Sequence, residues 1–331
     1  LGAAHINPAD AYRDVPILKR PVWNHEVAAY FYLGGISAGS AVIGSLAELV
    51  NGKRYKKLAR TAHYVSFATF LPCPALLIDD LGVPSRFHHM LRVFKPSSPM
   101  NLGAWAFAIH GVGATMTVAR MLVADAEAWR TAPLPLRVIA GSLRLIPERL
   151  LAGLGIPSSL ILAGYTGVLL GTTSIPVWHT SPLLGSLFTA SAFSAGTAAV
   201  SLADNIRWGS EDEHSELGKV ALASDATELA LLAGYVITSG QAAKPYREGK
   251  TGALMAGALG ATVASTLLEA LSTRSKRYKR SLSTLASIAA LTGGALLRWA
   301  VVRAGRASAS DREGTLEAMK PRERVPGWGS G

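Results

Sequence analysis

The chain has 331 residues, 49% of them hydrophobic and only 17% charged, and a mean hydropathy of +0.27. Soluble domains carry about 25% charged residues; here the charge is also gathered into short clusters between long uncharged runs, which excludes an ordinary water-soluble core. The net charge of +11 does not indicate nucleic acid, because the basic residues lie in loops between apolar runs without an aromatic stripe; anionic membrane lipids are the fitting counter-charge.

A helix that crosses lipid needs roughly 20 mainly apolar residues. In chain order, eight segments qualify: 26–49, 58–81, 101–123, 151–175, 182–203, 219–240, 251–271 and 281–303. The expected fold is all-α, a polytopic integral membrane protein with about eight transmembrane helices. It divides into an outer N-terminal segment 1–25, a membrane domain 26–303 and a C-terminal tail 304–331. Residues 1–25 are polar and contain proline, so the first span is expected to direct insertion itself. In the second segment Leu71-Pro-Cys-Pro74 is a candidate break, while Pro157 lies near the start of the fourth and Pro176 at its end. Proline is tolerated in such helices where neighbouring groups satisfy the freed carbonyl. Cys73 is the single cysteine, so neither an internal disulfide nor an iron–sulfur cluster is expected in this chain.

Loop charge sets the orientation. Lys53, Arg54, Lys56 and Lys57 follow the first span, Arg130, Arg137, Arg144 and Arg149 the third, and Arg274, Lys276, Arg277, Lys279 and Arg280 the seventh. The positive-inside rule assigns these loops to the cytoplasm and, with eight spans, both termini to the outer side of a bacterial or archaeal cell membrane. The basic tail beyond Arg303 opposes this; its Pro, Gly and charge content reads as a flexible or partner-bound segment. Between the third and fourth spans Leu136, Ile139, Leu143, Ile146 and Leu150 recur at three- and four-residue spacing. That is the pattern of a helix lying in the membrane surface.

Ionisable groups inside lipid are costly unless paired or hydrated, so each asks for a role. Glu48, Arg120 and Glu269 lie near span ends and can reach water. Asp225, Glu228 and Tyr235 share one stripe of the sixth span. Asp225 would stand roughly 9 Å and Glu228 roughly 14 Å from its cytoplasmic end, with Arg298 roughly 26 Å up the eighth span. They read as a proton path or a buried ion pair. Near the outer boundary come His25 and Glu26 on the first span, Asp79 on the second, and Tyr165 roughly 21 Å up the fourth.

Two histidines holding a haem must sit at similar depth on facing helices. His63 at roughly 8 Å and His110 at roughly 20 Å do not match, so no haem is expected, and no ligand spacing suggests another metal. A quinone needs an apolar slot, hydrogen-bonding groups for two carbonyls and a proton route. The outer cluster of His25, Glu26, Asp79 and Tyr165 supplies those chemical types. Buried carboxylates equally suit a proton-coupled transporter, and a purely structural anchor is a third reading. The outer loop 82–100, stiffened by Pro84, Pro96 and Pro99, carries Arg86, His88, His89, Arg92 and Lys95. Such a basic loop suits the docking of an acidic partner, or ordinary contact with headgroups.

Three stretches carry a resemblance. Trp23-Asn-His-Glu26 leads into Tyr30-Phe-Tyr-Leu-Gly-Gly-Ile-Ser-Ala-Gly39. Leu76-Leu-Ile-Asp79 runs through Gly82-Val-Pro-Ser-Arg-Phe87 and Met90-Leu-Arg-Val-Phe-Lys-Pro-Ser-Ser-Pro-Met100 to Gly103-Ala-Trp105. Tyr165-Thr-Gly-Val-Leu-Leu-Gly171 continues to Pro176-Val-Trp178. With shorter echoes at Asp225/Glu228 and from Gly293-Gly294 to Arg298, the chain resembles the NrfD/PsrC family of polysulfide-reductase-type membrane subunits.

The resemblance implies two four-helix bundles side by side (about 26–175 and 182–303) and a site for an exchangeable menaquinone or ubiquinone near the outer face. It also implies a docked four-cluster ferredoxin-like iron–sulfur subunit and, beyond it, a catalytic subunit, often of the molybdopterin type. On that reading quinone-site roles fall to Glu26, Asp79 and Tyr165, with His25 in a less regular position. Proton-path or structural roles fall to Asp225, Glu228 and Arg298. Where family members usually have Gly-Arg-Pro, Val83 stands in place of the arginine.

Overall fold

The computed structural model describes residues 17–125, 133–207, 211–275, 277–311 and 315–316. Arg130, Lys276 and, in the basic tail, residues 312–314 and 317–331 lie outside the described residues, as do residues 1–16. The helices are α1 (His25–Asn51), α2 (Lys56–Phe70), α3 (Cys73–Asp79), α4 (Pro99–Asp125), α5 (Leu134–Leu145), α6 (Glu148–Gly171), α7 (Pro176–His179), α8 (Leu184–Arg207), α9 (Glu211–Ser239), α10 (Gly249–Arg274) and α11 (Lys279–Ser310). Short 3-10 turns run over Pro84–Leu91 and Gly240–Tyr246, and no strand occurs among the described residues. Among the described residues eight units are long and apolar enough to cross a membrane: α1, α2 with α3, α4, α6, α8, α9, α10 and α11.

Packing contacts close these spans into two rings. In the first, α1 touches α2 and α6, and α4 touches α2 and α6; in the second, α8, α9, α10 and α11 meet in the same cyclic way. The rings share a wall in which α1 faces α8, with α6 and α11 at its flanks. Small residues make that wall thin. A β-carbon on Gly196 would lie 2.8 Å from the Ser40 backbone nitrogen, and one on Gly39 would run into the Ala192 carbonyl. Lipid supplies no hydrophobic drive between helices, so close backbone approach of this kind is what holds them.

Local departures from the expected boundaries have visible causes. Pro72 and Pro74 lack the N–H groups a continuous helix needs, so α2 stops at Phe70 and α3 resumes at Cys73. α11 continues past the expected end at 303 to Ser310. Its extra turns are buried against α7: the Trp178 indole lies over Gly305 and donates to the Val301 carbonyl at 2.8 Å, and the Val177 N–H donates to Ser308 Oγ at 3.3 Å. The segment expected to lie along the membrane surface forms α5, with Leu134, Val138, Ile139 and Leu145 exposed. Arg120 and Arg144 tie its neighbourhood down, donating to the carbonyls of Ile146 (2.7 Å) and Val123 (2.8 Å). At the opposite end Arg306 of α11 donates to the Trp23 carbonyl and to Asn24 Oδ1. The lead-in to α1 and the last turns of α11 therefore share one end of the molecule.

Candidate functional site

At that end the first bundle encloses a cavity of about 280 Å³. The broken second span shapes one wall with Pro74, Leu77 and Ile78; α1 contributes Val27, Tyr30 and Phe31, α4 contributes Ala104 and Phe107, and α6 contributes Tyr165 and Leu169. Phe87, Met90 and Leu91 of the 3-10 turn form its roof. Asn101 staples that roof down: its amide donates to the carbonyls of Met90 and Val93, both at 2.9 Å, and its Oδ1 accepts from Lys95 N at 2.6 Å. The lining is apolar except at two places. One is the Tyr30–Tyr165 pair, whose hydroxyls are hydrogen-bonded to each other. The other is Asp80, half-buried at the wall. Burial, and then the charges of Glu26 and Asp79, push the Asp80 carboxyl above the usual carboxylate range.

The structure sorts the outer residues expected from sequence. Tyr165 lines the cavity, with its ring packed where a β-carbon on Gly103 would otherwise sit. Glu26 is half-buried in the first turn of α1 and reaches Asp80 through its charge rather than through the cavity wall. Asp79 is exposed and points away from the cavity, because adjacent residues of a helix project about 100° apart. His25 is exposed, accepts from Trp299 Nε1 at 2.9 Å, and borders a separate basic cleft with Arg20, Lys244, Lys250, Arg303 and Arg306. Sequence reasoning missed Tyr30 and Asp80. Tyr30 follows Glu26 by four positions and so shares its helical stripe, which was the available signal. Arg86, His88, His89, Arg92 and Lys95 are all exposed on or beside the roof, interspersed with exposed Phe87, Val93 and Phe94.

The second bundle holds the other polar cluster. Asp225 of α9 accepts from Ser194 of α8 and Ser265 of α10, each at 2.6 Å. Glu228 lies beside Ser191 and Ser194, with Arg298 and Asp225 in electrostatic reach. Among the described residues, Arg298 forms no close ion pair with either acid. It donates Nη2 to the Phe188 carbonyl at 3.0 Å and lies over the Phe188 ring at 4.0 Å, while its Nε and Nη1 find no hydrogen-bond partner. Arg298 is thus held by a cation–π and a carbonyl contact, with Glu228 within electrostatic reach. Tyr235 leaves the cluster altogether, donating to the Val177 carbonyl at 2.6 Å and meeting Tyr246 at 3.0 Å.

Among the described residues two histidines are buried, both in the first bundle. His63 Nε2 is 3.2 Å from Glu48 Oε1, and both ring nitrogens of His110 are engaged by serines, Ser37 at 2.8 Å and Ser159 at 2.9 Å. Cys73 is buried, its thiol 3.3 Å from the Thr69 carbonyl. Among the described residues no three His, Cys, Asp or Glu side chains converge as metal ligands would.

Eight apolar spans in two rings, with a half-closed apolar cavity at one end, define a polytopic α-helical membrane protein. Residues 16–309 match the family model of Polysulphide reductase, NrfD, and the chain belongs to that family. It is similar to protein NrfD of Escherichia coli, 27% identical over 201 residues (59% of this chain, 63% of that protein). It is also similar to a polysulfide reductase subunit of Wolinella succinogenes, 29% identical over 210 residues (60% and 62%). A shorter match, 30% identical over 94 residues (28% and 24%), is to the Hdr-like menaquinol oxidoreductase integral membrane subunit of Archaeoglobus fulgidus. The chain therefore spans less than two thirds of each of these relatives.

Proposed function

We propose that this chain is the quinone- or quinol-reactive membrane anchor of a multisubunit oxidoreductase, exchanging electrons with an iron–sulfur partner at the outer face. The observation that carries this reading is the cavity beside the Tyr30–Tyr165 pair. Its volume is near the lower end for small-molecule pockets, about 300 Å³, which suits a single ring with its tail running out between apolar side chains. In a hydroxyl pair one phenol donates to the other, so the accepting phenol keeps its own proton free for a ligand carbonyl. Asp80, its carboxyl pushed above the usual carboxylate range, adds a second hydrogen-bonding group to the cavity wall. A bound quinone would supply two-electron, two-proton chemistry; the chain supplies the slot, the donors and the exclusion of water.

The relatives lend support through their names, a menaquinol oxidoreductase subunit and a polysulfide reductase subunit. The roof of the cavity is also the surface that carries Arg86, His88, His89, Arg92 and Lys95, so an acidic, cluster-bearing partner seated there stands one layer of side chains from the ligand. A catalytic subunit, of molybdopterin type in the family resemblance, would lie beyond it. The positive-inside rule places this face outside the inner membrane of a bacterial or archaeal cell, with both termini there. Asp225, Glu228 and Arg298 are assigned to holding α8, α9, α10 and α11 together.

The test is a set of single-atom changes. Tyr165→Phe, Tyr30→Phe and Asp80→Asn are expected to abolish quinone-linked electron transfer in the assembled complex without reducing the amount of complex recovered. Turnover at the wild-type rate in all three would overturn the site.

A further inference from the structure

The first bundle contains a second polar system, on the far side of the cavity from the partner face. At the end with the basic loops a cleft of about 500 Å³ is lined by Glu48, Lys56, Arg60, Asp125 and Glu148 among others. At its inner wall Glu48 is buried and stands 3.2 Å from the Nε2 of buried His63, an ion-pair distance without hydrogen-bond alignment. One helical turn further along α2, Ser66 Oγ is 3.2 Å from Ser37 Oγ, and Ser37 Oγ is 2.8 Å from His110 Nε2. His110 Nδ1 then meets Ser159 Oγ at 2.9 Å. All of these side chains are buried, and they join α1, α2, α4 and α6 at the axis of the ring. Above them the Phe70 ring packs on His110 at 5.4 Å and on Phe107 at 4.7 Å, and Phe107 lies 5.7 Å from Tyr30 and lines the cavity.

We infer that Glu48, His63, Ser66, Ser37 and His110 form the route by which protons pass between the basic-loop side and the quinone cavity. The inference rests on the quinone reading. Reduction of a quinone to a quinol consumes two electrons, supplied by the iron–sulfur partner, and two protons, supplied along this route; oxidation returns both by the same paths.

The chemistry of the members fits. A neutral imidazole accepts a proton at one nitrogen and releases one at the other, and a hydroxyl both donates and accepts. His110 is held on both nitrogens by hydroxyls, as a relay requires. Its outer end is sealed by Phe70 and Phe107, which form the dry step below the tyrosine pair. Ser159 and Tyr165 are separated by roughly 9 Å along α6, a gap that a few hydrogen-bonded waters bridge when Phe107 turns. The carboxylates of the second bundle lack this placement. Asp225 is fixed between two serines on α8 and α10, and neither it nor Glu228 borders the cavity.

The test uses the intact complex in proteoliposomes, with a quinone analogue as binding probe. His110→Gln can still hydrogen-bond both serines but cannot relay a proton, so it separates transport from packing. The expected result is about a hundredfold fall in quinone turnover, with analogue affinity and complex yield unchanged and with the solvent deuterium effect raised. Turnover of His110→Gln at the wild-type rate overturns the route. Should that variant fail to assemble, Ser37→Ala and Glu48→Gln are judged by the same readings. Failure of the wild-type complex to bind the analogue overturns the quinone reading itself, an outcome distinct from normal binding with undiminished turnover in the variants.

Discussion

The hydroxyls of Tyr30 and Tyr165 meet across the cavity wall from positions 135 residues apart in the chain, so each orients the other and neither can be replaced without freeing its partner. Gly103 belongs to the same arrangement, because a methyl group there would occupy the space of the Tyr165 ring. Gly103→Ala is expected to push that ring into the cavity and to weaken quinone-analogue binding by about tenfold, while Gly113→Ala, which meets open space, leaves it unchanged; equilibrium titration of the two variants checks this. Asp80 gives a pH prediction. Its pKa is raised by burial and by Glu26, so its protonated, donating form persists below that pKa and is lost as pH rises through it. Removing the Glu26 charge lowers the pKa, and the alkaline limb of the turnover profile in Glu26→Gln should shift to lower pH. An unshifted limb would separate Asp80 from the reaction. Tyr165 stands out in the sequence because a titratable group within an apolar span has few structural uses, and it is found lining the cavity. Asp80 was hidden by its neighbour, since choosing between adjacent acids requires knowing the rotation of α3 after the proline break. Tyr30 was hidden because its partner is brought to it only by tertiary packing.

Among the elements, the roof of residues 84–91 and the shared wall of α1 with α8 call for different experiments. The roof carries no buried side chain of its own and is held by the Asn101 staple and a Trp105 Nε1 bond to the Val93 carbonyl at 3.3 Å. Asn101→Leu removes three hydrogen bonds, each worth about 1 kcal/mol. It is expected to speed limited proteolysis between Val83 and Pro96 and to lower partner occupancy in the purified complex. In the wall, Gly196→Val places a branched side chain against the backbone of α1 and should cost about 1–3 kcal/mol by overpacking, visible as a lower melting temperature in detergent. Helix number and order could be read from apolar run lengths. The prolongation of α11 to Ser310 could not, because Arg303 and Arg306 break the apolar run while the small face of Ala304, Gly305, Ser308 and Ala309 finds cover only in the folded chain.

For the whole molecule the two rings divide the work. The first holds the cavity, the tyrosine pair and the hydrogen-bonded histidine–serine chain; the second holds Asp225, Glu228 and Arg298 around α8. Asp225→Asn is accordingly expected to lower thermal stability while leaving quinone turnover within about twofold of wild type, since it disturbs one hydrogen-bonded knot; kinetics and melting measured on the same sample decide. The contact of Gly39 and Gly196 with the opposing backbone has a consequence for any energy the protein conserves. Where Gly39 and Gly196 meet the opposing backbone, no side-chain layer is left to slide, and a rocking of one bundle past the other, as in the halves of an alternating-access carrier, would have to break that contact. A voltage across the membrane would then arise from where charges enter a stationary body, electrons from one surface and protons from the other, as in the plates of a capacitor being filled from opposite sides.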